Sequence, residues 1–435
     1  MQPATISNIP RKIFNFFTLE AERLGQETNY KKRRSKLTPG AFIKGLLTTC
    51  LSEHFSLELF CSVLKEQGIN IRKQSLYERF NERTVEFLKG LSSSFLKYFQ
   101  LEKLPQLNGL EEFTAVNIID SSGVSLHSAL SNLFKGSGGA ASTAALKIQL
   151  MFDYLEGQIK ELTLTSGCDN DQGFDHYFDS IQEGALYLID LGYFKLNSFK
   201  KIIEGRAFFV SRLLTGTKLF TADKKSLNLL TTLSAAGPLF SQQLFMGARH
   251  KIPVRLVAQR LPDEIADSRR RKLRDGHRRR GITPTKELLA LQGWSIYITN
   301  TSEAQISNQQ IHQTYALRWQ IELVFKLSKS LMHVDSINST KSARVIVETY
   351  GKFMSMMLLF LLCSPVRYNQ GKELSFYKAC KILISRVADL ARALTSIYRL
   401  KLFITSFHES LFLFALKDMK KKTICDLHFS DGEGF

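Results

Sequence analysis

The sequence predicts a mixed α/β chain in which a sheet-centred core is interrupted by a β-rich insertion and flanked by helical regions at both ends. Three observations predict it. Short runs rich in Val, Ile, Thr, Phe and Tyr, punctuated by Gly and Asp, are concentrated between about residues 113 and 301. Both flanks instead carry apolar residues at helical spacing. Between residues 214 and 292 a further β-rich stretch ends in the very basic run SRRRKLRDGHRRRG. With 435 residues and 44% hydrophobic content the chain can bury a large core. The boundaries read as an N-terminal helical region at 1–105, a core in two parts at 106–213 and 293–350, the insertion at 214–292 and a C-terminal helical region at 351–435.

The elements follow in order. LTPGAFIKGLLTTCLSE opens a helix with Thr38 as N-cap and Pro39 in the first turn, and SLELFCSVLKEQG stops at Gly68. A further helical stretch has Ser75 as its cap, and Lys31, Lys32, Arg33, Arg34 and Lys36 stand upstream of the pair. Two short helices around a Gly turn fit a helix-turn-helix on DNA, and they fit a plain helical bundle with a basic surface as well. FTAVNIID (113–120), LKIQLMFDYL (146–155) and QIKELTLTSG (158–167) read as strands, DNDQGFDHYFDSIQEG as a helix, and GALYLIDLGYF (184–194) as a strand that carries Asp190 at its end. That is the order at the start of a ribonuclease-H-like fold, and RAFFVSRL (206–213) extends it. Lys147 on the second strand reads as an edge lysine. In the insertion, VRLVAQRL alternates as a strand with Arg255 and Arg260 facing outward. WSIYITNT (294–301) resumes the sheet, helices follow to the C-terminal region, and the tail FSDGEGF reads as disordered.

The charge balance narrows the function. Lys and Arg number 59 against 40 Asp and Glu, a formal charge of +19. A polyanion explains this excess, because neutralising phosphates releases condensed counterions. An anionic membrane is the competing partner, yet the longest apolar run, MSMMLLFLL at 354–362, is well short of the roughly 20 residues of a bilayer span. No apolar leader opens the chain, so the expectation is a cytoplasmic, nucleoid-associated protein. Six scattered cysteines without a C-x2-C pair read as reduced thiols. Arg269, Arg270 and Arg271, at the head of the basic run, read as contacts to the DNA backbone.

Chemistry concentrates in three places. Tyr315, Arg318, Glu322 and Lys329 lie at offsets of three, seven and fourteen. At roughly 100° per residue they form one stripe on a helix whose other side carries Leu317, Ile321, Val324, Leu327 and Leu331. A salt-bridged surface face, with Glu322 paired to Arg318 and Lys326, is the plainer reading of any one of these charges. Asp120 and Asp190 each end an apolar strand. Either alone reads as a turn former. Together with Glu322 they supply carboxylates at two strand ends and on a helix, a set that converges on two divalent cations about 3.5–4 Å apart for attack on a phosphodiester. Mg²⁺ favours such oxygen ligands, and Mn²⁺ can substitute.

In these residues the chain resembles the DDE transposases of the bacterial insertion sequence four family. Asp120, Asp190 and Glu322 match the metal-binding triad, and Tyr315, Arg318 and Lys329 match the residues that accompany the glutamate. Ser121 and Leu191 depart from the common wording, which has Gly after the first aspartate and Arg after the second. The resemblance implies a cut-and-paste enzyme, a homodimer on DNA, that nicks each transposon end, forms a hairpin, reopens it and joins target DNA. It also implies that Trp294, 21 residues before Tyr315, stacks on a flipped base. A core tryptophan on a strand is the other reading. Two competing functions remain open: a structure-specific nuclease of the same fold, and a domesticated or inactive DNA-binding protein.

Overall fold

The computed structural model describes residues 8–31, 35–52, 54–99, 110–138, 142–174, 176–369 and 372–417. Its centre is a nine-stranded sheet: β1 (Val116–Ser125), β2 (Ala145–Asp153), β3 (Gln158–Ser166), β4 (Leu186–Ile189), β5 (Phe208–Arg212), β6 (Leu219–Phe220), β7 (Leu239–Met246), β8 (Ile252–Arg260) and β9 (Trp294–Thr299). The spatial order is β3-β2-β1-β4-β5-β9-β8-β7-β6. β1, β2 and β3 form an antiparallel meander, and β4 and β5 run parallel to β1. From β5 onward the pairing is antiparallel through β9, β8, β7 and β6. The β-rich stretch between β5 and β9 therefore continues the same sheet rather than forming a separate one.

Alternation along each strand gives the sheet two apolar faces. Ile118, Leu186 and Leu188 belong to one core with the flanking helices, while Ile119, Tyr187, Ile189, Phe209 and Ile298 belong to a second core on the reverse face. Helix Ser342–Cys363 lies on the first side and is almost wholly buried. By length and composition it could cross a membrane, but 94% of its apolar window is enclosed by the protein, as in a central core helix. Truncating a fully buried side chain such as Leu358 to Ala removes roughly 2–5 kcal/mol of stability.

At the N-terminal side Thr38 caps helix Pro39–Cys50 through the backbone N–H of Ala41, as its position before Pro39 predicts. Ser75 is not a cap: it lies inside the short helix Lys73–Tyr77. The segment between β3 and β4 forms two 3₁₀ turns, Asp171–Gly173 and His176–Phe178, where the sequence predicts a helix. Its Asp, Asn and Gly residues explain the difference: the Asn170 side chain accepts from the Gln172 backbone and closes a turn that competes with the helix. β2 lies between β1 and β3, so Lys147 is not on an edge. Lys32, Arg33 and Arg34 of the upstream basic cluster, and the FSDGEGF tail, lie outside the described residues.

Candidate active site

The register of the parallel strands places the two aspartates. Ile119 opposite Ile189 is the last paired step between β1 and β4, and Asp120 and Asp190 are the next residue on each. Strand alternation turns both toward the face of Ile118 and Leu188, the one on which helix Trp319–Ser330 contacts β1. β1 itself continues to Ser125, paired with β2 alone, so Asp120 lies within its strand and it is β4 that ends. Asp190 caps the 3₁₀ turn Leu191–Tyr193, its Oδ2 accepting from the Gly192 N–H at 3.2 Å.

Glu322 is in the first turn of helix Trp319–Ser330, with Ile321, Val324, Phe325 and Leu327 buried beneath it. The predicted single helix is divided. Tyr315 belongs to helix Ile311–Ala316, and the turn at Leu317–Arg318 is tightened by backbone bonds from Arg318 to Tyr315 and from Gln320 to Leu317. Arg318 is therefore the residue before the second helix, and its side chain is aimed back across the sheet end.

That guanidinium is the hub of the site. It lies 2.6 Å from Glu322 Oε1, 3.5 Å from Asp120 Oδ2 and 3.5 Å from Asp190 Oδ1. Its side chain is only 14% exposed. Burial works against its charge, but Asp190, Tyr315, Asp120 and Glu322 together hold its pKa above the ordinary arginine range. Burial pushes the Asp120 carboxyl up to about 7; the Ser121 N–H and Arg318 pull it down, and Asp190 and Glu322 add to the rise. The Arg318–Glu322 pair expected of a plain helix surface is thus present, but as one arm of a three-carboxylate cluster.

The donor set fits a hard divalent cation: all three groups supply oxygen, and they surround a place that a positive charge already fills. The carboxylates are spread around the guanidinium rather than drawn together, and among the described residues no group of three or more His, Cys, Asp or Glu is arranged to hold an ion. The Arg318 guanidinium fills the space between them.

Around this centre Tyr315 is buried, its ring 5.3 Å from that of Tyr297, and its hydroxyl has no partner among the described residues. Burial raises its pKa, and the nearby Asp190 adds to the rise. Lys329 is half-buried two turns beyond Glu322. Trp319 is 36% exposed beside Arg318. Arg212 was not singled out by its sequence context. It ends β5 one step beyond the last β4–β5 pair, Ile189 with Ser211, and so shares a face with Asp190. The signal is the same as for the aspartates, a polar residue closing an apolar parallel strand.

A cavity of about 990 Å³ opens next to the site, lined by Leu191, Arg212, Arg269, Lys272 and Trp294 among others. Trp294, the first residue of β9, is half-buried, packed against the reverse-face core and lining this space. The basic run is helix Asp263–Arg279. Arg269 reaches Ser295 Oγ at 3.4 Å, and Arg270 holds Asp267 at 2.7 Å and the Leu289 carbonyl at 3.2 Å. Both turn toward the sheet and the helix Lys286–Leu291, whereas Arg271 is exposed. Arg255, predicted to face outward, is buried, and its guanidinium donates to Thr301, Ser302, Ile306 and Asn308. Along β8 the side chains from Val254 to Ala258 are buried on both faces, so Arg255 does not meet solvent.

The transposase DDE domain family matches residues 111–358, a span that holds all three carboxylates. The transposase for insertion sequence element IS231F of Bacillus thuringiensis subsp. israelensis is 28% identical over 439 residues, covering 93% of this chain and 91% of that protein. The transposase for insertion sequence element IS1151 of Clostridium perfringens is 29% identical over 345 residues, 73% of each chain. A piggyBac transposase synaptic complex with hairpin DNA superposes with a TM-score of 0.47 at 12% identity, covering 96% of this chain and 87% of that one. The family match spans more than half of the chain, and the chain belongs to the transposase DDE domain family, with relatives among the transposases of bacterial insertion sequence elements.

Proposed function

We propose that this chain is an active transposase that binds the ends of an insertion sequence, cuts DNA there and transfers the freed strands by a cut-and-paste route, with Mg²⁺ or Mn²⁺ held by Asp120, Asp190 and Glu322. The observation that carries the proposal is the convergence of those three carboxylates on the Arg318 guanidinium. The meander of β1 to β3 followed by parallel β4 and β5 supports a ribonuclease-H-like core, with the sheet extended by the insertion.

Asp120, Asp190 and Glu322 would hold a divalent ion, which when bound would polarise the scissile phosphodiester and lower the pKa of the attacking water or 3′-hydroxyl. The chain's own residues do the rest. Arg318 presents a planar fork that suits a phosphate as well as a carboxylate, so DNA beside the cut draws it off the triad. Lys329 adds a second positive charge along the same helix. Tyr315 keeps a buried hydroxyl ready for a phosphate oxygen. Arg212 and Trp294 wall the adjoining cavity, which lies near the upper end of the volumes that enclose small organic groups. A base turned out of the stack during hairpin formation fits there, stacked on the indole. Arg271 and its neighbours on helix Asp263–Arg279 hold the phosphate backbone. The C-terminal helix Ile397–Phe414 exposes Tyr398, Leu402 and Leu413 on one side, an apolar stripe that supports pairing of two subunits on DNA.

The test is strand cleavage of a labelled duplex that carries the element's own ends, with Mg²⁺, with Mn²⁺ and with EDTA. Metal-dependent nicks at the end boundary, then a hairpin on denaturing gels, are expected. Specific binding without a nick in any metal leaves a DNA-binding protein, and nicks that never become hairpins leave a nuclease of the same fold.

A further inference from the structure

A fourth carboxylate lies behind the triad, on the opposite face of the sheet. Ser121 follows Asp120, so its side chain turns away from Glu322; its cross-strand partner on β2 is Gln149. There Asp171, in the 3₁₀ turn between β3 and β4, accepts three hydrogen bonds on Oδ1: from Ser121 Oγ at 2.9 Å, Lys147 Nζ at 3.2 Å and Gln149 Nε2 at 3.2 Å. Gln149 is fully buried, and its amide oxygen accepts from the Tyr193 hydroxyl, three residues after Asp190. Ser121 in turn donates its backbone N–H to Asp120 Oδ1 at 2.8 Å.

The other oxygen of Asp171 faces the second aspartate. A Cβ placed on Gly192 would lie 3.8 Å from Asp171 Oδ2 and 3.6 Å from Asp190 Oδ2, so Gly192 is the spacer between the two carboxyls. Asp171 thereby connects to Asp120 through Ser121 and to the Leu191–Tyr193 turn after Asp190 through Gln149 and the Tyr193 hydroxyl. A surface ion pair would need only Lys147. It would not need the buried amide and the serine as well, and a carboxylate that accepts three donors with one oxygen is fixed in direction as well as in charge. Ser121, which departs from the glycine common at this position, acquires a role in this way.

We propose that Asp171 is a positioning residue: through Ser121 and Gln149 it fixes the angle at which Asp120 and Asp190 meet a cation, without touching the cation or the DNA. This rests on the proposed metal-dependent cleavage. Partners that orient metal-ligating groups typically change metal affinity or activity about 10- to 100-fold when removed.

The experiment uses the full chain bound to its DNA ends. Mn²⁺ affinity is read from the loss of the free-ion EPR signal, beside the Mn²⁺ dependence of cleavage, end binding and melting temperature. Asp171→Ala and Ser121→Ala should each weaken Mn²⁺ binding about tenfold, with cleavage recovering at saturating Mn²⁺ and end binding unchanged. The double variant should be no worse than the poorer single, because both act on one link. Ser121→Thr, which keeps the hydroxyl, should restore affinity in the serine position. Multiplying losses, a loss that saturating Mn²⁺ does not recover, or unchanged affinity in Asp171→Ala would overturn the assignment. If Asp171→Ala does not fold, Asp171→Asn and Ser121→Ala carry the same comparison. A wild-type chain that binds no Mn²⁺ would instead sink the metal-dependent reading on which the inference rests.

Discussion

On the proposed metal site Arg318 holds the place of the cation in the DNA-free chain, so removing it should open that place. In the DNA-free chain a divalent ion has to displace a guanidinium bound to Glu322 at 2.6 Å and set 3.5 Å from both Asp120 and Asp190. A charge-assisted hydrogen bond of that kind contributes about 1.5–3 kcal/mol net. Because 1.36 kcal/mol is a factor of ten, losing that one contact alone predicts Mn²⁺ binding about 10- to 100-fold tighter in Arg318→Ala than in the wild type. The two longer contacts strengthen the effect, while the unrelieved repulsion among three carboxylates raises their proton affinity and opposes it at low pH. The assay is EPR titration of Mn²⁺ into the DNA-free protein at pH 8. Arg318→Lys, which retains the charge but loses the fork, should lie between the two. On DNA the variant should cut poorly despite its filled metal site, since its phosphate grip is gone. Mn²⁺ binding in Arg318→Ala no tighter than in the wild type would refute the argument that arginine and metal compete for one position.

Four further outcomes follow from the geometry. Glu322→Gln should abolish cleavage and leave end binding within about twofold in a gel-shift assay; lost binding would make Glu322 a structural residue. Burial holds the Asp120 carboxyl near 7, and the protonated form cannot ligate, so Mn²⁺ affinity in the DNA-free chain should fall as pH drops below about 7 and level off above it; a flat profile between pH 6 and 8 counts against Asp120 as a ligand. Trp294→Ala should slow hairpin formation more than the first nick in single-turnover gels, whereas equal losses would return Trp294 to a packing role. Arg271→Ala should lower the salt dependence of DNA affinity by about one unit of slope across all sequences, and the half-buried Arg269→Ala should act more on hairpin formation through the cavity wall it shares with Trp294.

The strands and the places of the two aspartates on them were legible because both follow from alternation along apolar runs. An apolar run that stops at a carboxylate marks the end of a strand and the direction of its last side chain; Asp190 conforms to that rule, whereas Asp120 lies within β1, which continues to Ser125. What misled was local chemistry that depends on partners far away in sequence. Arg255 alternates like a solvent-facing arginine, but both faces of its strand are covered from Val254 to Ala258 and the loop at 301–308 supplies carbonyl, hydroxyl and amide acceptors for its fork. The segment 169–184 carries helix-like spacing, but side-chain to backbone bonds at Asn170 close turns first. Periodicity also placed Tyr315 and Glu322 on one continuous helix, because backbone bonds of i→i+3 type at Leu317 and Arg318 leave no trace in hydrophobic spacing.

The insertion separates Glu322 from the aspartates by a long stretch of chain, and two attachments compensate for it. β9 pairs on one side with β5, the neighbour of the Asp190 strand, and on the other with β8 of the insertion, so a single strand locks the returning chain into the catalytic sheet. Arg255 then clamps the loop that leaves β9, with 2.6 Å to Asn308 and 2.7 Å to the Ile306 carbonyl, immediately before the helices that carry Tyr315, Arg318 and Glu322. The acceptors are neutral carbonyls, a hydroxyl and an amide, so the arginine is fully bonded while burial lowers its pKa only within a range where it stays protonated. Contacts from Arg255 to residues 301–308 thus tie down the chain just before the helices that carry Glu322. The stretch between β5 and β9, which continues the same sheet, thus brings its basic helix and cavity wall beside the strand that leads to Glu322.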